Sequence, residues 1–147
     1  MISDPIHRRL RDSLYQDAML LADEARAYFD DALRREAFDL DPLARVQTSC
    51  ESLKVTTRLL HVVAWLLHWR AVDAGEIAPL ELRLPARGLG SSPACSKEAL
   101  ALMPERAREL AAASLDLHRR AVMLDEAAEA IGPGPARLIQ ERLAREF

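Results

Sequence analysis

The sequence predicts an all-α protein: an antiparallel three-helix bundle with long helices, a long loop between helices 2 and 3, and a short C-terminal helix. Three observations carry this. Alanine, leucine, arginine and glutamate dominate by eye, whereas glycine is sparse, at 5 in 147 residues. Apolar residues recur at intervals of three, four and seven over long stretches. Each of those stretches opens on a proline, twice preceded by aspartate, which is a helix start signal.

The first helix is expected to start at Asp4-Pro5 and run to about Ala37, with Ile6, Leu10, Leu14, Leu21, Ala25 and Phe29 on its inner face. Asp41-Pro42 repeats the signal. The second helix should run from Pro42 to about Ala74 and close on Gly75 as a left-handed cap. At the helical rise it would be roughly 50 Å long, which suits an elongated bundle. Over 76–95 the pattern fails, with Pro79, Pro85, Gly88, Gly90 and Pro93 punctuating the chain. Leu80-Glu81-Leu82-Arg83-Leu84 alternates as a strand would, but no partner strand exists, so an extended loop lying on the bundle is expected. That loop is longer than ordinary helix–helix connections. Ser96 should cap a short turn through Leu102, and Pro104 should open the third helix. Its inner face is expected to hold Leu110, Leu117, Ala121, Leu124, Ala128 and Ile131, with Gly132-Pro133-Gly134-Pro135 as the stop. Ala136 to Arg145 suits a short terminal helix. Length and composition place all of 1–147 in one domain.

Hydrophobic residues at 50% and charged residues at 29% are ordinary globular values, so disorder is not expected. A net charge of −3 lacks the basic footprint of a nucleic-acid binder. The run His7-Arg8-Arg9-Leu10-Arg11 is followed by Asp12 and Asp17 and reads as a solvated helix face. The most apolar stretch, Leu59 to Leu67, is too short to cross a bilayer and carries His61, so no membrane span is expected. Two cysteines make no disulfide framework, and the first residues show no secretory signal; a reducing cytoplasm is the expected location.

No pattern of catalytic chemistry emerges, and the chain is expected not to be an enzyme. There is no glycine-rich phosphate loop, no His-Glu-x-x-His and no paired Cys-x-x-Cys, so neither a metal nor a cofactor is expected. Adjacent acids such as Asp23-Glu24 and Asp30-Asp31 point to different helix faces. His61 and His68 are seven apart, roughly 10 Å by helical rise, too far to share one metal. His118 lacks the lysine and small residue that follow a phosphotransfer histidine. Cys50 is expected to be a small core residue, and Cys95 a loop residue with only Lys97 near it in sequence to activate it.

The second helix is the informative one. Projected at 100° per residue, its apolar arc spans roughly 200°, about twice that of an ordinary surface helix. The excess calls for a cover: the loop, the terminal helix or another chain. Self-association as a homodimer is favoured, with Leu59, Val62 and Leu66 as the candidate face. The remaining arc carries Glu51, Lys54, Arg58, His61 and Trp65, spaced by three and four along one strip. These five are the candidate partner-binding residues, with Trp65 as the anchor, because tryptophan and arginine dominate binding hot spots. The competing arrangement has the loop folded over Trp65, burying it.

The segment Glu51-Ser52-Leu53-Lys54-Val55-Thr56-Thr57-Arg58-Leu59-Leu60, followed by Val63-Ala64-Trp65-Leu66-Leu67 and by Arg70-Ala71-Val72 with Gly75-Glu76, resembles the family of the regulator of CtrA degradation, RcdA. Ala27-Tyr28-Phe29-Asp30, Met103-Pro104-Glu105 and Leu124-Asp125 extend the resemblance over nearly the whole chain. It implies a dimerising three-helix bundle that acts as a non-enzymatic adaptor. It also implies partners: the ClpXP protease, reached through the response-regulator-like protein CpdR, in regulated proteolysis of cell-cycle regulators. The residues by themselves leave two alternatives: a regulatory bundle partnering a phosphosignalling protein, and a ligand-binding bundle.

Overall fold

The computed structural model describes residues 5–36, 40–85, 87–130 and 143–146. Helix α1 (Pro5–Ala27) passes through a π turn (Tyr28–Ala32) into the short α2 (Leu33–Glu36); α3 spans Pro42–Asp73, α4 Lys97–Leu102 and α5 Glu105–Ala130. The described residues include no strand. The alternating Leu80–Leu84 segment instead winds into a 3-10 helix, Pro79–Arg83, because Pro79 supplies the helical φ at its first turn.

The start and stop signals of the second long helix act as the sequence implies. The Asp41 carboxylate accepts the Ala44 N–H at 2.7 Å with Pro42 at the first helical position. At the other end Gly75 takes φ 76°, and the Gly75 and Glu76 N–H groups close back on the Val72 and Ala71 carbonyls. That pair of bonds is the Schellman arrangement, and it needs a residue at ease in the left-handed region. Ser96 caps α4 by accepting the Ala99 N–H at 3.2 Å. The expected start at Asp4, end at Ala37 and stop at Gly132–Pro135 lie outside the described residues. So does the terminal helix over 136–145, apart from 143–146, which are helical.

The bundle differs from the expected antiparallel one in the direction of one helix. α1 runs antiparallel to both others: Arg11 meets Asp73 of α3, while Asp17 and Glu24 meet Arg120 and Arg106 of α5, in descending order. α3 and α5 therefore run parallel, and Arg58 of α3 reaches Ser114 of α5 at mid-length. Two consecutive long helices can be parallel only if the chain between them travels back along the bundle. That geometry is the physical reason for the long loop.

The core is built from Leu14, Ala18, Val55, Leu59, Val62, Trp65, Leu66, Leu110, Ala111, Leu117 and Ala121. Several expected faces are corrected here. Leu59, Val62 and Leu66, the candidate dimer face, are buried inside the chain's own bundle. Cys50, expected in the core, is exposed. Ile6 and Leu10 face outward, and His7 and Arg11 are buried in their place. The Arg11 guanidinium stacks 4.1 Å above the Trp69 ring and pairs with Asp73 at 3.4 Å, while His7 lies 5.4 Å from the same ring. A guanidinium on an indole with a carboxylate beside it keeps its charge under cover, which a count of hydrophobic residues does not anticipate.

Candidate functional site

The strip expected to receive a partner is occupied by the protein's own crossover segment. Residues 87–96 run as an extended strap antiparallel to α3, and the strip's side chains hold its backbone carbonyls one after another. His68 Nδ1 donates to the Arg87 carbonyl at 2.8 Å and His61 Nδ1 to Ser91 at 3.2 Å. Arg58 donates to the Pro93 carbonyl at 2.7 Å and Lys54 Nζ to Ala94 at 3.1 Å. From the far side of the strap, His118 Nε2 of α5 donates to the Gly90 carbonyl at 2.8 Å. A carbonyl oxygen can only accept, so each imidazole must carry its proton on the nitrogen facing the strap. The three- and four-residue spacing of α3 thus matches an extended chain: residues 51–68 span about 25 Å of helix, and nine extended residues reach about 30 Å.

Arg58 is the centre of this clasp. Besides Pro93 it donates to Ser92 Oγ at 2.6 Å, to Ser114 Oγ at 3.1 Å and to the Cys95 sulfur at 3.1 Å. One side chain therefore ties α3, α5 and the strap together. Glu51 sits two turns before Arg58, in a 2.9 Å ion pair with Lys54. Burial pushes the Glu51 carboxyl toward a higher pKa, but hydrogen bonds from Lys54, Cys95 and the Ser96 backbone outweigh it and hold the group below its ordinary 4.5. The Cys95 thiol moves the other way. Burial and the bond to Glu51 raise its pKa above 9.0 despite Arg58 beside it, so it stays a protonated, poor nucleophile.

As an open docking strip, the five candidates are therefore corrected. Glu51, Arg58 and Trp65 are 1%, 0% and 1% exposed, and Lys54 and His61 are half-buried beside the strap. Trp65 is buried in the core and meets Trp69 edge-on at 6.4 Å, while the loop lies along Lys54, Arg58, His61 and His68 of the same helix. The close fit is visible at Gly90, where an added Cβ would lie 2.7 Å from His61 Nδ1. Glycine at that position lets the strap backbone rest directly on the imidazole. His68, His118 and Cys95 belong to the clasp and were not assigned to it from sequence. For His68 the signal was present in its seven-residue spacing from His61 on the strip's own face; His118 and Cys95 had none.

Among the described residues no group of three or more His, Cys, Asp or Glu is placed to hold a metal ion. A shallow cleft of about 230 Å³ between α1 and α5 is lined by Asp17, Leu20, Leu21, Glu24, Asp116 and Arg120. It is smaller than typical small-molecule sites and is crossed by the Arg120–Asp17 ion pair. Among the described residues no helix is long and apolar enough to cross a membrane.

Among the described residues, polar side chains of α3 hold the chain's own crossover segment, and large apolar residues such as Leu53 and Leu60 face outward. Over residues 2–145 the chain matches the family model described as a protein of unknown function, DUF1465, and it belongs to that family. The crystal structure of RcdA from Caulobacter crescentus CB15 is similar: 30% identity, a TM-score of 0.66, and coverage of 81% of this chain and 90% of that one. The resemblance read from the second helix thus holds in three dimensions. No curated protein matches the sequence.

Proposed function

We propose that this chain is a non-enzymatic adaptor in regulated proteolysis and cell-cycle control, working as a cytoplasmic homodimer that brings other proteins together. The observation that carries the reading is the likeness to RcdA, at 30% identity over 90% of that chain, in sequence and fold together. The arrangement of α3 supports it. The titratable groups that sequence reading offered for chemistry hold a strap in place, and Cys95 is kept protonated. The partners that follow are a response-regulator-like protein and, through it, the ClpXP protease. The experiment is affinity capture with the full chain from its native cells, with peptide identification. Enrichment of the ClpX unfoldase together with a single-domain receiver protein is expected. Capture that enriches neither, from cells where both are expressed, contradicts the reading.

A further inference from the structure

The bundle holds residues 87–96 as a receptor holds a peptide. Lys54, Arg58, His61 and His68 of α3 and His118 of α5 donate to the carbonyls of Ala94, Pro93, Ser91, Arg87 and Gly90. Carbonyls recur along any extended chain at about 3.3 Å per residue, so this grip reads backbone and tolerates other sequences. The strap itself buries little. None of residues 87–96 is fully buried, and Ser91, Ala94 and Ser96 are exposed. Among its side chains, Leu89 and Cys95 pack against the core. A segment held mainly by half-exposed hydrogen bonds opens at less cost than the helices beneath it.

The charge at the centre of the groove is incompletely matched. Arg58 is 0% exposed, yet its hydrogen bonds all go to neutral atoms: Ser92 Oγ, Ser114 Oγ, the Pro93 carbonyl and the Cys95 sulfur. Among the described residues no carboxylate forms an ion pair with it. Arg11, buried on α1, has Asp73 at 3.4 Å, and Glu51 on the same strip is taken by Lys54. A guanidinium out of water is best served by a carboxylate, whose charge-assisted bonds are roughly twice as strong as neutral ones. The strap offers a hydroxyl in that place, Ser92 Oγ, at 2.6 Å.

We infer that the groove between α3 and α5 is a peptide-binding site and that residues 87–96 are its built-in occupant, displaced by an extended segment of a partner protein. This rests on the reading of the chain as an adaptor and names the chemistry of what it takes up. The incoming segment carries glycine where Gly90 lies on the His61 ring, since an added Cβ there would meet Nδ1 at 2.7 Å. Two residues on, in the place of Ser92, it carries aspartate, which reaches Arg58 with a charge. Tethering gives the strap an effective concentration on the order of millimolar, so a neutral peptide with the same backbone bonds does not displace it. A segment that exchanges the Ser92 hydroxyl for a carboxylate gains what the strap lacks. The strap thus acts as a filter that rejects segments without the charge.

Locking the strap tests this. A Cβ at Gly90 would lie 3.0 Å from His61 Cγ, and one further bond of about 1.5 Å puts the two Cβ atoms within about 4.5 Å, the span of a disulfide. The full chain carrying His61→Cys and Gly90→Cys, with Cys50→Ser and Cys95→Ser, is therefore closed by oxidation and freed by reduction. The probe is a dye-labelled peptide of residues 87–96 carrying Ser92→Asp and Cys95→Ser, titrated by fluorescence anisotropy. Saturable binding to the reduced chain is expected, at least tenfold weaker after oxidation. The same peptide with Ser92 retained, or with Gly90→Ala, should bind at least tenfold more weakly. A second protein keeps the groove whole: Ser92→Ala in the otherwise native chain weakens the strap alone and should raise peptide affinity about tenfold over the parent. Equal binding to oxidised and reduced forms, equal binding of the Asp and Ser peptides, or no binding to Ser92→Ala at millimolar peptide overturns the inference. None of these results touches the adaptor reading, which stands or falls on capture of the unfoldase and receiver by the full chain.

Discussion

Replacing Arg58 by alanine should release the strap without unfolding the bundle, and the size of the effect can be worked from its bonds. Arg58 is fully buried, so its hydrogen bonds are not screened by water. Ser114 keeps a partner after the change, since its hydroxyl still donates to the Ala111 carbonyl at 2.7 Å, and the Cys95 sulfur is a weak acceptor. The bonds that matter are those to Ser92 Oγ and the Pro93 carbonyl. At about 1.5–3 kcal/mol for each bond to a charged group, less the relief of no longer burying a cation, the net loss is about 2–3 kcal/mol. Charged to strap opening, that multiplies the open population by roughly 30–150, since 1.4 kcal/mol is tenfold. Cys95 reports the opening. With Cys50→Ser to remove the exposed thiol, a disulfide reagent should label Cys95 slowly in the parent and tens of times faster in the Arg58→Ala variant. Circular dichroism should remain helical. Labelling that changes less than threefold would mean that the strap is held by its apolar contacts, and the clasp argument would fall.

Other expectations follow from the same geometry. Trp65→Ala removes a fully buried core aromatic packed on Trp69 and should cost about 3–5 kcal/mol, read as a drop in the denaturant midpoint. Gly90→Ala pushes a methyl into the His61 ring and should speed Cys95 labelling, with the helix content unchanged. Glu51 has its folded pKa below its unfolded 4.5, so its contribution is complete above 4.5 and fades as pH falls through the folded value. Denaturation midpoints of the parent and Glu51→Gln should therefore differ by a constant amount above about pH 5.5 and converge in acid. Val62→Glu buries an unpaired carboxylate in the monomer's own core and should melt the bundle, whatever the oligomeric state.

Periodicity and punctuation made the helices legible. Asp41-Pro42, Gly75 and Ser96 each form the cap that their residue type implies, because such signals act within one turn and need no tertiary information. The wide apolar arc of the second helix was legible too, together with its need for a cover from the loop, the terminal helix or another chain. Which half of the arc faces inward was not. Leu59, Val62 and Leu66 are as apolar as Leu53, Leu60 and Leu67, and only the placement of α1 and α5 separates them. The same limit hid the parallel course of α3 and α5, since helix direction leaves no mark on hydrophobic spacing. The polar strip misled for a related reason. Arg58 and His61 have the composition of a binding hot spot because they do bind a peptide, which is residues 87–96 of their own chain, while Trp65 between them belongs to the core. His7 and Arg11 were read as solvated because no local signal reveals that Trp69 and Asp73 wait on another helix.

The proposed homodimer requires an apolar face that the bundle leaves open, and on α3 Leu53, Leu60 and Leu67 are exposed. Light scattering on the full chain and on Leu60→Glu, at micromolar concentrations, tests this directly. Leu60 lies two residues from Val62, yet it is 63% exposed, so the substitution should leave the fold intact while placing a charge on the exposed apolar face of α3. The native chain should scatter as twice its 16.4 kDa, and the variant as 16.4 kDa with unchanged helicity. A native chain that stays at 16.4 kDa across the range, or a variant that remains doubled, contradicts the account.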